Sequence, residues 1–292
     1  MDNIKEHKLG QYIPVHYHYQ MLSDTNRMEN FRKAIDMKVN KTHRVVDFGS
    51  GTGALSFFAS KKGAHVTGIE NNTQLVKYSN QLIEHNNMSD KVNIEYQDAS
   101  EWEPMEPIDI VICEMLHSAL LREKQIQVIN SLKEKHIKKF NKVPEFIPYA
   151  TLLAVQPIAM DYDFQGFVAP VPLFQDPYTT NSGKDLFEPE VYKTVVYEDY
   201  EDGYIDAEVV FEVHKDTRVN SLRFITKSIL SMDRLTKDSV EWFNQYLVLP
   251  IGRDIELIKG ACLHVSFNYN SGDEIDVLQE SLVVEMIRNN NS

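Results

Sequence analysis

Two glutamates lie nine residues apart, directly after an apolar run of the sequence. Glu114 and Glu123 are the ends of the segment EMLHSALLRE. A loop of that length can fold back and direct both carboxylates at one point. Two carboxylates can hold a guanidinium through charge-assisted, bidentate hydrogen bonds and orient its nitrogen for reaction. The spacing therefore favours a site that binds a cationic acceptor.

A glycine-rich turn earlier in the chain is typical of a site for a nucleotide-containing cofactor. The turn follows an apolar run at 44–48, precedes a helical pattern at 54–62, and contains Gly49, Gly51 and Gly53. Glycines tolerate positive φ and let the backbone approach a ligand closely. With Ala54 in the last position the turn also fits a permitted dinucleotide-binding variant, and no Lys-Ser/Thr pair of a P-loop follows it. The glycines alone therefore leave the choice of cofactor open.

Three carboxylates at the ends of successive predicted strands narrow that choice. Asp47 precedes the turn, Glu70 ends the second apolar run, and Asp98 follows the third. A carboxylate in the place of Glu70 can hold both ribose hydroxyls, and one in the place of Asp98 can accept a hydrogen bond from an adenine amino group. Their joint placement favours S-adenosylmethionine as the cofactor.

The same residues carry a resemblance to a known family. The pattern Asp-x-Gly-x-Gly-x-Gly, followed by an acidic strand end, resembles the signature of class I S-adenosylmethionine-dependent methyltransferases. The segment 45–71 and the paired glutamates resemble the protein arginine methyltransferases more specifically. The resemblance implies that the glycines pass under the methionine part of the cofactor and that Glu70 binds its ribose. It also implies that Glu114 and Glu123 hold an acceptor arginine without a metal ion.

The N-terminal segment 17–27 resembles the lid that covers the cofactor in this family. The resemblance implies that Arg27 pairs with the carboxylate of the cofactor, a charge-assisted contact. Tyr12 matches the second of two family tyrosines near the acceptor, whereas Lys8 stands in the place of the first. We therefore expect Tyr12 to lie in the catalytic site.

The chain departs from the family at the predicted acceptor site. Where the family usually has Trp-Met-Gly-Tyr after the first glutamate, this chain has MLHS, so that His117 adds a base or a hydrogen-bond donor. The family's Thr-His-Trp loop is represented by VEW, which retains Trp242 and substitutes Glu241 for the histidine. We expect His117, Glu241 and Trp242 to contact the acceptor.

The order of predicted elements indicates an α/β fold with two domains. Helical patterns fill 11–40, and apolar runs then alternate with helical patterns up to about residue 147. This alternation predicts a Rossmann-like parallel sheet with an N-terminal helical lid, over 1–147. From 148 to 292 the pattern is β-rich, with a short helical turn near Ser239, and predicts a mostly antiparallel, barrel-like domain. The resemblance implies a homodimer, with residues 162–185 as a shortened dimerisation arm.

Composition excludes some classes of function. The formal net charge of -13 argues against a nucleic-acid substrate, which requires a basic face. No apolar stretch is long enough to span a membrane, and the first residues lack the apolar segment of a secretory signal. Two widely separated cysteines fit a reducing compartment, and we expect a cytoplasmic location.

The sequence thus predicts N-methylation of a guanidinium, an arginine in a protein or peptide. An N- or O-methyltransferase of small molecules on the same scaffold stays open, because the histidine of the acceptor loop and one of the tyrosines are missing. Nucleic-acid methylation is disfavoured by the acidic charge and by the lack of an Asn-Pro-Pro-Tyr motif after the fourth strand. A non-catalytic cofactor-binding protein is disfavoured by the intact glycines and glutamates.

Overall fold

A five-stranded parallel sheet forms the first half of the chain. The computed structural model describes residues 13–180, 186–233 and 235–287. The sheet has the order β3-β2-β1-β4-β5. Its central strands are fully buried, as expected for a sheet covered on both faces, with Val46, Phe48 and Val111 at 0% exposure. The strands are β1 Arg44–Phe48, β2 His65–Glu70, β3 Val92–Tyr96, β4 Ile110–Cys113 and β5 Glu145–Ile147.

Five helices accompany this sheet in the described residues. Asp24 caps the second helix, where its side chain accepts a hydrogen bond from the backbone of Arg27 at 2.9 Å. Asn72 caps the fourth in the same way. Phe31, from the second helix, packs against Trp242 of the second half of the chain, with ring centroids 5.9 Å apart. The helices are α1 Val15–Ser23, α2 Thr25–Lys38, α3 Ala54–Lys61, α4 Thr73–His85 and α5 Gln125–Phe140.

The second half consists mainly of antiparallel strands. One six-stranded sheet has the order β10-β6-β12-β14-β9 with β13 paired to β12, and a three-stranded sheet has the order β11-β15-β16. The strands are β6 Ala150–Ile158, β7 Asp163–Phe164, β8 Phe167–Val168, β9 Leu173–Gln175, β10 Glu190–Val196, β11 Tyr204–Glu212, β12 Thr217–Met232, β13 Ser239–Phe243, β14 Tyr246–Leu257, β15 Cys262–Asn270 and β16 Val283–Ile287. The predicted α/β fold with a second, mostly antiparallel domain is confirmed, and closure into a barrel stays a prediction.

Two local features differ from the sequence-based expectation. The segment near Ser239 is strand β13 rather than a helical turn, because it pairs with β12, where Ser228 faces Trp242. A helix that the sequence did not reveal, α6 Ile275–Ser281, packs against β15. Long-range pairing and packing decide both segments, and local propensity does not report these contacts.

The chain passes from the first sheet to the second between Ile147 and Ala150, close to the boundary that we predict at 148. No helix in the described parts of the chain has the length and apolar character needed to cross a membrane. Cytoplasmic location stays a prediction.

Candidate functional site

A single cleft of about 1070 Å³ brings most of the predicted site residues together. It lies between α1 and α2, the carboxyl ends of the parallel strands, and the part of the second domain around β9 and β13. Tyr12 lies outside the described residues. The predicted residues that line the cleft are Arg27, Asp47, Gly49, Gly51, Glu70, Asp98, Glu114, His117, Glu123 and Trp242.

The glycine turn forms one wall of the cleft and leaves no room for side chains. Gly51 has φ +55°, and a Cβ atom there would lie 2.9 Å from Cε1 of His18. Gly49 has φ +66°, and a Cβ atom there would lie 2.9 Å from Cγ of Met115. Both positions combine left-handed backbone with close packing, so that glycine is required.

Gly53 lies where the glycine turn passes into α3. It is the N-cap of α3, its φ is +79°, and an added Cβ atom would lie 3.3 Å from Cδ1 of Ile83. It is absent from the lining of the cleft as the described residues form it. Its conformation shapes the turn, and its predicted contact with the cofactor stays a prediction.

Glu70 ties the glycine turn to the end of β2. Its carboxylate accepts hydrogen bonds from the backbone N–H groups of Gly51 at 2.9 Å and Asn72 at 3.0 Å. Burial raises the pKa of Glu70, while these N–H donors oppose the shift. The carboxylate is thus held in one orientation at the strand end, where a ribose would bind.

The other two strand-end carboxylates are engaged with the protein. Asp47 is 1% exposed and accepts a hydrogen bond from the hydroxyl of Ser56 at 2.6 Å, and burial raises the pKa of Asp47 to about 7. Oδ1 of Asp98 accepts hydrogen bonds from the backbone and hydroxyl of Ser100 at 2.8 and 2.6 Å. These bonds fix the local turns, and the cofactor roles of both residues stay predictions.

Arg27 and Glu114 form an ion pair inside the cleft. Their side chains are only 14% and 13% exposed. Burial raises the pKa of Glu114, and the Arg27 guanidinium opposes that shift. The lid helix α2 is thereby joined to the loop that carries the paired glutamates.

Glu123 is half-buried and lines the same cleft as Glu114. Burial makes the largest contribution to raising the pKa of Glu123 to about 8, and the Glu114 carboxylate makes the next. Glu123 therefore retains its proton at neutral pH unless a further cation binds beside it.

The loop between the two glutamates has an unusual backbone. Ala119, Leu120 and Arg122 adopt φ values of +57°, +55° and +64°. Non-glycine residues in this conformation are uncommon and persist only where surrounding structure holds them. The second domain supplies that support, because Thr226 accepts a hydrogen bond from the Ala119 N–H at 2.7 Å and the Tyr269 hydroxyl donates to the Ala119 carbonyl at 2.9 Å.

The three predicted acceptor contacts separate into two groups. His117 and Trp242 line the cleft, and Trp242 is 4% exposed. Glu241 does not line the cleft in the described structure, and its contact with the acceptor stays a prediction. Its carboxylate lies 2.6 Å from Nζ of Lys227. Side chains alternate across a strand, so the inward position of Trp242 sends its neighbour to the other face.

Two buried residues outside our predicted set lie in or beside the cleft. His18 is buried over the glycine turn, and its Nε2 has no hydrogen-bond partner within the described residues. Gln125, at the start of α5, is fully buried and accepts a hydrogen bond from the Met115 N–H at 3.0 Å. His18 belongs to the segment 17–27, whose resemblance already pointed to the cofactor site, whereas Gln125 had no such signal and reaches Met115 only through the fold.

The residues present fit S-adenosylmethionine. The glycine walls leave space for a flat or extended ligand, and Glu70 presents an oriented carboxylate. Arg27 lines the cleft but is paired with Glu114, and its contact with a carboxylate of the cofactor stays a prediction. The buried hydroxyl of Ser50 and Nε2 of His18 are polar atoms that the described protein leaves without partners. No group of three metal-ligating side chains occurs in the described residues.

Comparison with known proteins supports this assignment. The family model described as "Ribosomal protein L11 methyltransferase (PrmA)" matches residues 32–137. An uncharacterized protein of Methanocaldococcus jannaschii is 25% identical over 94% of this chain and 99% of its own length. Protein arginine N-methyltransferase 1 of Saccharomyces cerevisiae is 31% identical, over 46% of this chain and 39% of that protein. The chain thus matches well under half of this named relative.

Solved structures match over most of the chain. The Trypanosoma brucei PRMT1 enzyme–prozyme heterotetrameric complex with AdoHcy has a TM-score of 0.71 at 16% identity, covering 93% of this chain and 97% of that one. Arabidopsis thaliana protein arginine methyltransferase 10 has a TM-score of 0.73 at 16% identity, covering 86% and 87%. The chain resembles the arginine methyltransferases in fold, and the predicted class I methyltransferase and its cofactor, S-adenosylmethionine, are confirmed.

Proposed function

We propose that this enzyme methylates a guanidinium nitrogen, an arginine in a protein or peptide, that is held between Glu114 and Glu123. The observation that carries the proposal is that these two half-buried carboxylates line the same cleft as the glycine turn and Glu70. A planar cation with several N–H donors is the ligand that two such carboxylates bind best.

The charges of the cleft support a cationic acceptor. Arg27 pairs with Glu114, whereas Glu123 forms no ion pair with the described residues. Burial, followed by the Glu114 carboxylate, raises the pKa of Glu123 to about 8, although Arg27 and Arg122 oppose the shift. A bound cation would favour the ionised form of Glu123 and cause it to release its proton. The two carboxylates would then orient the nitrogen lone pair toward the methyl group that S-adenosylmethionine supplies.

The transfer is a displacement that needs no covalent enzyme intermediate. S-adenosylmethionine would supply the methyl group and leave as S-adenosylhomocysteine, and the nitrogen that accepts the methyl group would lose one proton to solvent. The protein therefore contributes by position and charge, through the carboxylates on one side of the reacting nitrogen and the cofactor cradle on the other.

Mass spectrometry tests the proposal directly. The full chain is incubated with deuterated-methyl S-adenosylmethionine and with lysate proteins and metabolites. We expect label on arginine residues, and loss of that label with Glu114→Gln. Label on small molecules alone would overturn the arginine assignment and favour the second candidate, a small-molecule methyltransferase. The position of Glu241 outside the cleft supports this second candidate.

We also propose that the chain forms a homodimer through the hairpin β7–β8. Phe164, Phe167 and Val168 of this hairpin are 55%, 72% and 67% exposed, an apolar surface that association would cover. Analytical ultracentrifugation of the wild type should show a dimer, and Phe167→Asp should shift it to monomer. Tyr200→Asp, which also changes a residue 72% exposed, is the matched control and should remain dimeric.

A further inference from the structure

His117 is held at the junction of the two domains by its neighbours in the chain. The Leu116 carbonyl accepts a hydrogen bond from Nδ2 of Asn244 at 2.6 Å, and the Ser118 hydroxyl donates to the carbonyl of Gln245. Asn244 and Gln245 form the connection between β13 and β14. Because both flanking residues are tied to the same connection, the backbone of His117 is fixed where it lines the cleft.

The ring of His117 is oriented as firmly as its backbone. It packs nearly perpendicular to Phe174, at 84° with centroids 5.6 Å apart. Its Nδ1 lies 3.2 Å from the carbonyl oxygen of Ser118, which can only accept a hydrogen bond. Nδ1 therefore carries the hydrogen.

The other ring nitrogen is left with a lone pair. Burial lowers the pKa of His117 to about 4, so that the ring is neutral at physiological pH. In a neutral ring with hydrogen on Nδ1, Nε2 is a hydrogen-bond acceptor. Nε2 makes no hydrogen bond to the described residues, and, unlike Nε2 of His18, it is not sealed from solvent. Because His117 lines the cleft, this lone pair is available to a ligand bound there.

We propose that Nε2 of His117 accepts a hydrogen bond from an N–H of the methyl acceptor. The histidine thereby selects acceptors that have one more N–H donor than the two glutamates bind. This assignment rests on the proposed function. A guanidinium has five N–H donors, and two bidentate carboxylates use four of them. The remaining donor is the one that Nε2 takes.

The role is orientation and selection rather than proton transfer. A ring that stays neutral down to about pH 4 is too weak a base to hold a proton in the working range. It distinguishes a guanidinium, which has a spare N–H, from a cation such as tetramethylammonium, which has none.

Two substitutions separate the two ring nitrogens. His117→Asn retains an amide donor near the position of Nδ1, for the Ser118 carbonyl, and removes the acceptor at Nε2. His117→Gln presents an amide oxygen near the position of Nε2. A merely structural histidine has no reason to favour Gln over Asn, and thermal unfolding of each variant reports whether the fold is intact.

The experiment measures binding of N-acetyl-arginine amide by titration calorimetry, on full-length enzyme saturated with S-adenosylhomocysteine. We expect His117→Asn to bind the probe at least about tenfold more weakly, as for loss of a hydrogen bond to a charged group, and His117→Gln to stay near wild type. In ¹⁵N spectra, Nδ1 should be the protonated nitrogen, and the Nε2 resonance should shift with the probe but not with tetramethylammonium.

The outcomes are distinguishable. Equal binding by wild type and both variants, or a hydrogen on Nε2 in the free enzyme, overturns the assignment of His117 and leaves the proposed function intact. Failure of the wild type to bind the arginine probe overturns the guanidinium proposal, and the role of His117 with it.

Discussion

The backbone N–H of Ala119 donates a hydrogen bond to Oγ1 of Thr226, at 2.7 Å. Ala119 lies between the paired glutamates, with φ +57°, and Thr226 lies in the middle of β12, fully buried. This bond fixes a strained loop of the cofactor domain to the longest strand of the second domain. The glutamates are therefore positioned by both domains together.

Thr226→Val should loosen this loop. Valine has nearly the same shape but accepts no hydrogen bond, so that the Ala119 N–H is left buried and unpaired. We expect a loss of about 1–3 kcal/mol in the free energy of unfolding, measured in urea, and reduced turnover with little change in S-adenosylhomocysteine affinity. Ser228→Ala, at a fully buried position of the same strand, is the control and should retain turnover. Equal turnover by both variants would contradict this role.

Glu114→Gln and Glu123→Gln should each impair catalysis without impairing cofactor binding. Either change keeps the shape but removes charge from a desolvated cation site, which typically costs about 2–5 kcal/mol. We expect turnover to fall by roughly 30-fold or more. The effects should be non-additive because both residues hold one group. Glu241→Gln changes a glutamate outside the cleft and should be neutral; near-normal turnover of the cleft variants would make the glutamates structural.

The buried acids predict how stability depends on pH in the ligand-free protein. Burial raises the pKa of Glu123 to about 8 and that of Asp47 to about 7. Between their ordinary values and these values the folded state binds more protons than the unfolded state, so that the free energy of unfolding falls as pH rises from about 5 to about 8. Denaturant titrations across this range should show the decline, and Glu123→Gln should flatten it. An unchanged slope would mean that Glu123 ionises freely.

Gly51→Ala should damage the cofactor site specifically. The new Cβ atom would lie 2.9 Å from His18 in a backbone with positive φ. We expect S-adenosylhomocysteine affinity, measured by calorimetry, to fall roughly tenfold or more, equivalent to about 1.4 kcal/mol. Gly166→Ala is the matched control, since φ is +92° there and no atom lies within 4 Å of the added Cβ. Similar losses in the two variants would trace the effect to backbone strain alone.

The sequence by itself determined the class of fold and the cofactor end of the site. Gly49, Gly51 and Glu70 lie in short segments at the ends of consecutive parallel strands, and parallel strands bring their carboxyl ends to one edge of the sheet. A local pattern therefore suffices to predict that these residues meet. By the same reasoning, the sequence predicts that Glu114, which follows β4, lies at that edge of the sheet.

Only the tertiary structure decided which residues line the part of the cleft where we expect the acceptor to bind. Glu241 and Trp242 are adjacent in sequence, but the pairing of β13 with β12 turns Trp242 inward and Glu241 outward, and a shift of one residue would reverse them. His117 reaches the cleft wall because its neighbours bond to residues 244–245, more than 120 positions along the chain. Register and contacts of this range depend on how whole sheets pack, and no local spacing reports them.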